Sequence, residues 1–238
     1  MADVLLVDDR KATAQMYEDW LTRLGHDVTV VNEPDLVTPE SLAASPPQLA
    51  VIDLSYGNSE LSGLDILLLL FRRCPTCRLS ILTNGDAAVG DVLRISWEAL
   101  PITVAISKGT LFDEFGDAIA AALDGDEWVD DDLSAWIPKR RDPGRSIERF
   151  AGLIGHAGHA RLLQHLCAAR TQPSQAEVAR ANGWVVATVR NYAEHLSQGL
   201  TILGYQKMTF AELHAFVQAA RPIVSEAANE FLRSTEDP

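Results

Sequence analysis

The first half of this chain is predicted to be α/β, a flavodoxin-like, doubly wound, five-stranded parallel sheet. The second half is predicted to be an all-α helix–turn–helix domain. Three observations lead there. Short apolar, β-branched runs alternate with segments of helical spacing through residue 124, the pattern from Ile147 onward is purely helical, and a polar, turn-rich stretch separates the two. Alternation of that kind favours a parallel sheet covered by helices on both faces.

The elements follow in order. Residues 4–7 form a short apolar run that ends in Asp8 and Asp9. Residues 11–24 place Ala14, Tyr17, Leu21 and Leu24 at helical spacing. Residues 28–31 read as a second strand and 36–44 as a short helix. Residues 49–54 form a third strand containing Asp53, and 64–71 a helix apolar on most sides. Residues 79–82 form a fourth strand followed by Thr83, 87–97 a weak helix, 102–106 a fifth strand followed closely by Lys108, and 111–123 a closing helix. The expected division is a first domain over 1–124, an acidic-then-basic linker over 125–146, and a helical output domain over 147–238. Trp128 and Trp136 in the linker are candidates for docking on a neighbour.

Composition narrows the function. With 47% hydrophobic and 22% charged residues the chain is ordinary for a globular protein. Its longest apolar run, residues 66–71, ends in Arg72 and Arg73 and falls far below the ~18 residues a membrane helix requires. Asp3 comes early and no basic-then-apolar pattern opens the chain, so no secretory signal is expected. Three cysteines cannot build a disulfide framework, which points to the reducing cytoplasm. The net charge of −13 is uneven: −11 over residues 1–125, −5 over 126–138 and +3 over 139–238. Nucleic acid is therefore open as a partner for the second half only.

In an open parallel sheet, ligands bind beyond the carboxyl ends of the strands. Asp8, Asp9, Asp53, Thr83 and Lys108 all fall at predicted strand ends, so the fold brings them to one rim. Three carboxylates there repel one another, and a hard divalent cation such as Mg²⁺ relieves that repulsion. Lys108 offers a cation and Thr83 a hydroxyl to a phosphoryl group approaching a carboxylate.

The stretches Val-Leu-Leu-Val-Asp8-Asp9, Val51-Ile-Asp53-Leu, Ile81-Leu-Thr83-Asn and Ile106-Ser-Lys108-Gly resemble the receiver domain of response regulators, over about the first 124 residues. The resemblance implies that Asp53 is the phosphoacceptor for a sensor histidine kinase. It implies that Mg²⁺ is held by Asp9, by Asp8 largely through water, by Asp53 and by the backbone carbonyl of Ser55, and that Thr83 and Lys108 contact the phosphoryl group. It implies a regulator rather than an enzyme. The sequence departs from the family's pattern in several places. Ala105 stands where an aromatic residue usually couples the site to its output, Gly109 and Gly57 stand where prolines are common, Asn84 replaces a small residue, and the stretch 53–63 is about two residues longer than usual. Phosphorylation-independent regulation therefore stays open.

In the second half, Ser174 followed by Glu177 reads as a capping box, and Gly183 as the turn of a helix–turn–helix near 174–197, whose second helix is expected over 186–197. Thr188-Val189-Arg190-Asn191-Tyr192 resembles the output domain of NarL/LuxR-type regulators. That resemblance implies promoter DNA as partner, a homodimer, and a reading face of Ala187, Thr188, Arg190, Asn191 and Glu194, with Arg180, Arg170 and Lys207 on the phosphate backbone. One cation, Arg190, opposed by Glu194 is sparse for DNA. A helical pair that binds a protein partner is the alternative. Phe210, Leu213, Phe216, Val217 and Val224 suggest one or two extra helices, with Pro222 starting or kinking one. Cys74 and Cys77 read as incidental, Asp130–Asp132 as a solvated run, and His156, His159, His165 and Cys167 as scattered over helix faces rather than gathered on a metal.

Overall fold

The computed structural model describes all residues except 58, 60, 86–88, 138–145 and 237–238. It divides into two compact units, Met1–Gly144 and Arg145–Pro238.

In the first unit, the strands β1 (Asp3–Val7), β2 (Asp27–Val31), β3 (Leu49–Asp53), β4 (Arg78–Thr83), β5 (Ile102–Ser107) and β6 (Trp128–Val129) form one sheet in the order β2-β1-β3-β4-β5-β6. Every pairing is parallel. β3 is buried along its whole length, whereas the edge strand β2 is only half-buried. Continuous apolar runs belong to strands covered on both faces. The helices α1 (Lys11–Arg23), α2 (Pro39–Ala44), α3 (Gly63–Arg73), α4 (Gly90–Ala99) and α5 (Phe112–Asp124) cover it. Tyr17 and Leu21 of α1 meet Phe115 and Ile119 of α5 in a core floored by Leu6, Val51 and Ile106.

Two expectations need correcting. The sheet has six strands, not five, because part of the expected linker belongs to it. Trp128 and Val129 pair with Val104 and Ala105, a 3₁₀ turn spans Asp131–Leu133, and Leu133 and Ile137 are buried. A two-residue strand among acidic neighbours leaves no period to read, and burial of Leu133 and Ile137 decides the matter. Residues 138–145 of the expected linker lie outside the described residues, as do 87 and 88 at the expected start of α4. The second correction is to the region expected as one helix over 36–44, which is a 3₁₀ turn at Pro34–Leu36 followed by α2, started by Thr38 as cap.

The second unit contains α6 (Ser146–Ala151), α7 (Ala157–Ala168), α8 (Gln175–Asn182), α9 (Val186–Ile202), α10 (Phe210–Ala219) and α11 (Arg221–Glu236). The extra helices suggested beyond residue 199 are α10 and α11. They bury Leu213, Phe216, Val217, Ile223, Val224, Ala227 and Ala228, and Gln164 of α7 donates to Asn229 of α11 at 2.8 Å. Pro222 sits in the first turn of α11, where its missing N–H costs nothing.

Candidate functional site

The carboxyl ends of β1, β3, β4 and β5 meet at one rim, as parallel strands require. Asp8 is fully buried and Asp53 nearly so, while Asp9 is half-buried. Ligand oxygens of all three lie within 4.8 Å of one another, the one such acidic or metal-ligating group among the described residues. Lys108 reaches in from the end of β5 with its side chain 8% exposed. Its Nζ donates to Asp53 Oδ2 at 2.7 Å, and lies 2.7 Å from Asp8 Oδ2 in an ion pair that is off the line of a hydrogen bond.

Backbone groups fix the carboxylates from the other side. The Arg10 N–H donates to Asp8 Oδ1 at 2.9 Å, the Gly57 N–H to Asp9 Oδ2 at 2.6 Å, and the Ser55 N–H to Asp53 Oδ1 at 3.4 Å. Gly57 thus binds Asp9 where a proline would have no donor. Burial pushes the Asp53 carboxyl above the usual carboxylate range; Lys108 pulls it back, and the Asp8 charge adds to the rise. Asp9 Oδ1 is buried with no hydrogen-bond partner. Thr83 is buried at the end of β4, and its carbonyl accepts the Lys108 N–H at 2.8 Å, so the two strand-end loops are joined.

Several neighbours escaped the sequence reading. Tyr17 donates its hydroxyl to the Lys108 carbonyl at 3.1 Å, and burial, then Asp8 and Asp53, push its phenol up to about 12, so it stays a donor. Asn32 holds the Asp8 carbonyl at 2.8 Å. A Cβ on Gly63 would lie 2.0 Å from the Asp53 carbonyl oxygen, so only glycine lets α3 begin against the Asp53 backbone. The Tyr56 hydroxyl is buried without a partner, and burial, then Asp53, Asp8, Asp9 and Asp65, push its phenol well above the ordinary range. None of these has a spacing signature; each is set by tertiary approach.

In the second unit, Ser174 caps α8 with Glu177 in a capping box, and Gly183 takes φ +67 at its end. Val178, Ala179, Val189 and Ala193 pack between α8 and α9. This leaves Ala187, Arg190, Asn191 and Glu194 exposed on α9 and Thr188 half-exposed, with Arg180 exposed on α8 and Arg170 and Lys207 exposed elsewhere. α9 runs to Ile202, further than expected, and Val185 and Val186 at its start are exposed as well.

Of the residues read as scattered, His156 and His159 come together with His195, while His165 faces Asn182. His159 is buried, with ring centroids 4.0 Å from His156 and 4.3 Å from His195, and Tyr192 meets both His156 and His159 edge-on. Burial, then the charges of His156 and His195, lower His159 to about 4. Sequence spacing could not foresee this, because α7 and α9 supply the rings separately. Asp130 is not simply solvated either. It caps the 3₁₀ turn and accepts from the Thr110 hydroxyl. Cys74 and Cys77 are buried free thiols, the latter pushed up to about 12 by burial.

No family model and no curated protein matches this chain. Solved structures do. The chain is similar to RcsB from Salmonella enterica serovar Typhimurium bound to promoter rprA in the presence of the phosphomimetic BeF3⁻, with a TM-score of 0.60 and 14% identity over 92% of this chain and 100% of that one. It is also similar to a two-component response regulator RcsB–DNA complex, with a TM-score of 0.54 and 14% identity over 91% and 98%. At this identity the likeness is one of fold: a parallel sheet flanked by helices, followed by a helical unit. No helix among the described residues is long and apolar enough to cross a membrane.

Proposed function

We propose that this chain is a two-component response regulator in which a sensor histidine kinase phosphorylates Asp53 and the modification controls promoter binding through α8 and α9. The observation that carries this reading is the convergence of Asp8, Asp9 and Asp53 within 4.8 Å, with Lys108 Nζ 2.7 Å from two of them. A structural ion pair needs one carboxylate per cation; three around one lysine leave net negative charge buried, and that is costly without a further cation. The donor set fits Mg²⁺, because all candidate ligands are hard oxygens and Asp9 Oδ1 is buried with no partner. Asp8, Asp9, Asp53 and the Ser55 carbonyl would hold it, and when bound it supplies the positive charge that lets a phosphoryl anion approach a carboxylate.

The chain's own groups do the rest. A carboxylate oxygen of Asp53 forms the new P–O bond as the P–N bond of the donor phosphohistidine breaks, and the imidazole nitrogen leaves with the electron pair. Lys108 exchanges a carboxylate for a phosphoryl oxygen, and the Thr83 hydroxyl donates to another. The reading helix displays one cation, Arg190, so a homodimer that places two copies on paired half-sites suits it better than a monomer. A cytoplasmic location follows from this reading.

Incubation with a small phosphodonor and Mg²⁺, followed by intact mass measurement, tests it. The native chain gains one phosphoryl group and Asp53→Asn does not; the same mass gain in both, or none in either, refutes the phosphoacceptor assignment. A second reading, protein-partner binding by α9, is favoured by one observation, the exposed Val185 and Val186 beside that single cation. A co-purifying protein together with no DNA retention would support it.

A further inference from the structure

The chain after α5 returns along the β5 edge of the sheet and touches the two loops that follow β4 and β5, on one side of the acidic rim. Val129 pairs with Ala105, and the Asp130 N–H donates to the Ala105 carbonyl at 3.0 Å. The Asp130 carboxylate then accepts from the hydroxyl of Thr110, two residues beyond Lys108. Leu133, fully buried, lies over Gly85, two residues beyond Thr83, so closely that a Cβ there would come within 2.5 Å of its Cδ2. Trp136 covers Gly90 at the start of α4 in the same way, with 2.4 Å to a Cβ built there. Asp130 also accepts from the Asp132 N–H at 2.9 Å, which ties the polar anchor to the apolar one through a single 3₁₀ turn.

We infer that residues 128–137 form a conformational strap that reads the state of Asp53 and is loosened when that residue carries a phosphoryl group, an inference that rests on the phosphoacceptor reading above. The two loops it grips are already joined, because the Lys108 N–H donates to the Thr83 carbonyl at 2.8 Å. A phosphoryl group on Asp53 adds negative charge and three acceptor oxygens beside Lys108 and Thr83. Thr83 moving toward the phosphoryl oxygens, and Lys108 Nζ moving from the Asp53 carboxylate onto one of them, shift Gly85 and Thr110, the strap's apolar and polar footholds, while its β5 pairing at Ala105 stays where the sheet holds it. Leu133 fills the space over Gly85 so fully that not even a Cβ fits there, and packed interfaces of this kind switch rather than deform smoothly. Ala105 presents no large side chain to act as the moving part, and here its backbone anchors the strap.

The test is hydrogen exchange of residues 128–137 in the full chain, with and without beryllofluoride and Mg²⁺, with ¹⁹F NMR on the same samples to register bound fluoride. The expected result is a drop of about tenfold in protection of this segment on binding, absent in Asp53→Asn. Thr110→Val, which lacks the hydroxyl donor, shows raised exchange here without beryllofluoride and a smaller further change with it. A bound-fluoride signal with unchanged or greater strap protection overturns the strap alone. Absence of any Asp53-dependent fluoride signal overturns the phosphoacceptor reading and the strap's role with it.

Discussion

The acidic rim of the first unit and the outer face of α9 in the second are built in opposite ways. At the rim, Asp8, Asp53 and Lys108 come from stretches about fifty residues apart, and the sheet brings them within 2.7 Å contacts in near-complete burial. Each carboxylate has a backbone N–H aimed at it. On α9 the inward residues Val189, Ala193 and Leu196 fix the helix, and Arg190, Asn191 and Glu194 are displayed to solvent. A rim of this kind is pre-organised, so its members act as a unit. A displayed face acts through separate and roughly additive contacts.

That difference is sharpest in what single substitutions should do. Lys108→Met leaves the Asp8 and Asp53 carboxylates buried without their cation, and the first unit should lose about 3 kcal/mol in urea unfolding at neutral pH. Part of that loss should return at mildly acidic pH, because Asp53, already raised by burial, then takes a proton. An unchanged midpoint would mean that the rim is not the coupled unit described. Arg190→Ala should do far less to stability, within about 0.5 kcal/mol, as is usual for a surface residue. It should weaken DNA retention and lower the slope of log affinity against log salt by about one. Retention unaltered by Arg190→Ala would favour the partner-binding reading of α9.

A further contrast concerns pH in the second unit. His159 is lowered from 6.5 to about 4 in the folded chain, so the unfolded chain binds its proton at higher pH. Its contribution is complete above about pH 6.5 and falls away as pH drops toward 4. Protection of the α7 amides, taken relative to the intrinsic exchange rate at each pH, should therefore fall between pH 6.5 and 5 in the native chain and much less in His159→Gln. Equal pH dependence in both would show that the imidazole cluster does not govern this packing.

The same contrast explains what could be read from the sequence. Asp8, Asp9, Asp53, Thr83 and Lys108 were legible because strand ends of a parallel sheet share one edge, so order along the chain is enough to bring them together. The capping box of Ser174 and Glu177 and the turn at Gly183 were legible because their geometry is local. β6 was not, because two residues carry no period and their pairing with Val104 and Ala105 depends on the path of the chain after α5. The grouping of His156 and His159 with His195 was not, because it depends on how α7 and α9 pack. Gly63 was not singled out, because only its approach to the Asp53 carbonyl reveals why a side chain there is excluded.

The most direct test of the central claim, that the rim governs the displayed helix, is DNA retention by the full chain at fixed salt before and after treatment with a small phosphodonor and Mg²⁺, in native protein and in Asp53→Asn. The account predicts a change in retention for the native chain and none for the variant. The same response in both, or no response in a native chain shown by mass to be phosphorylated, would contradict it.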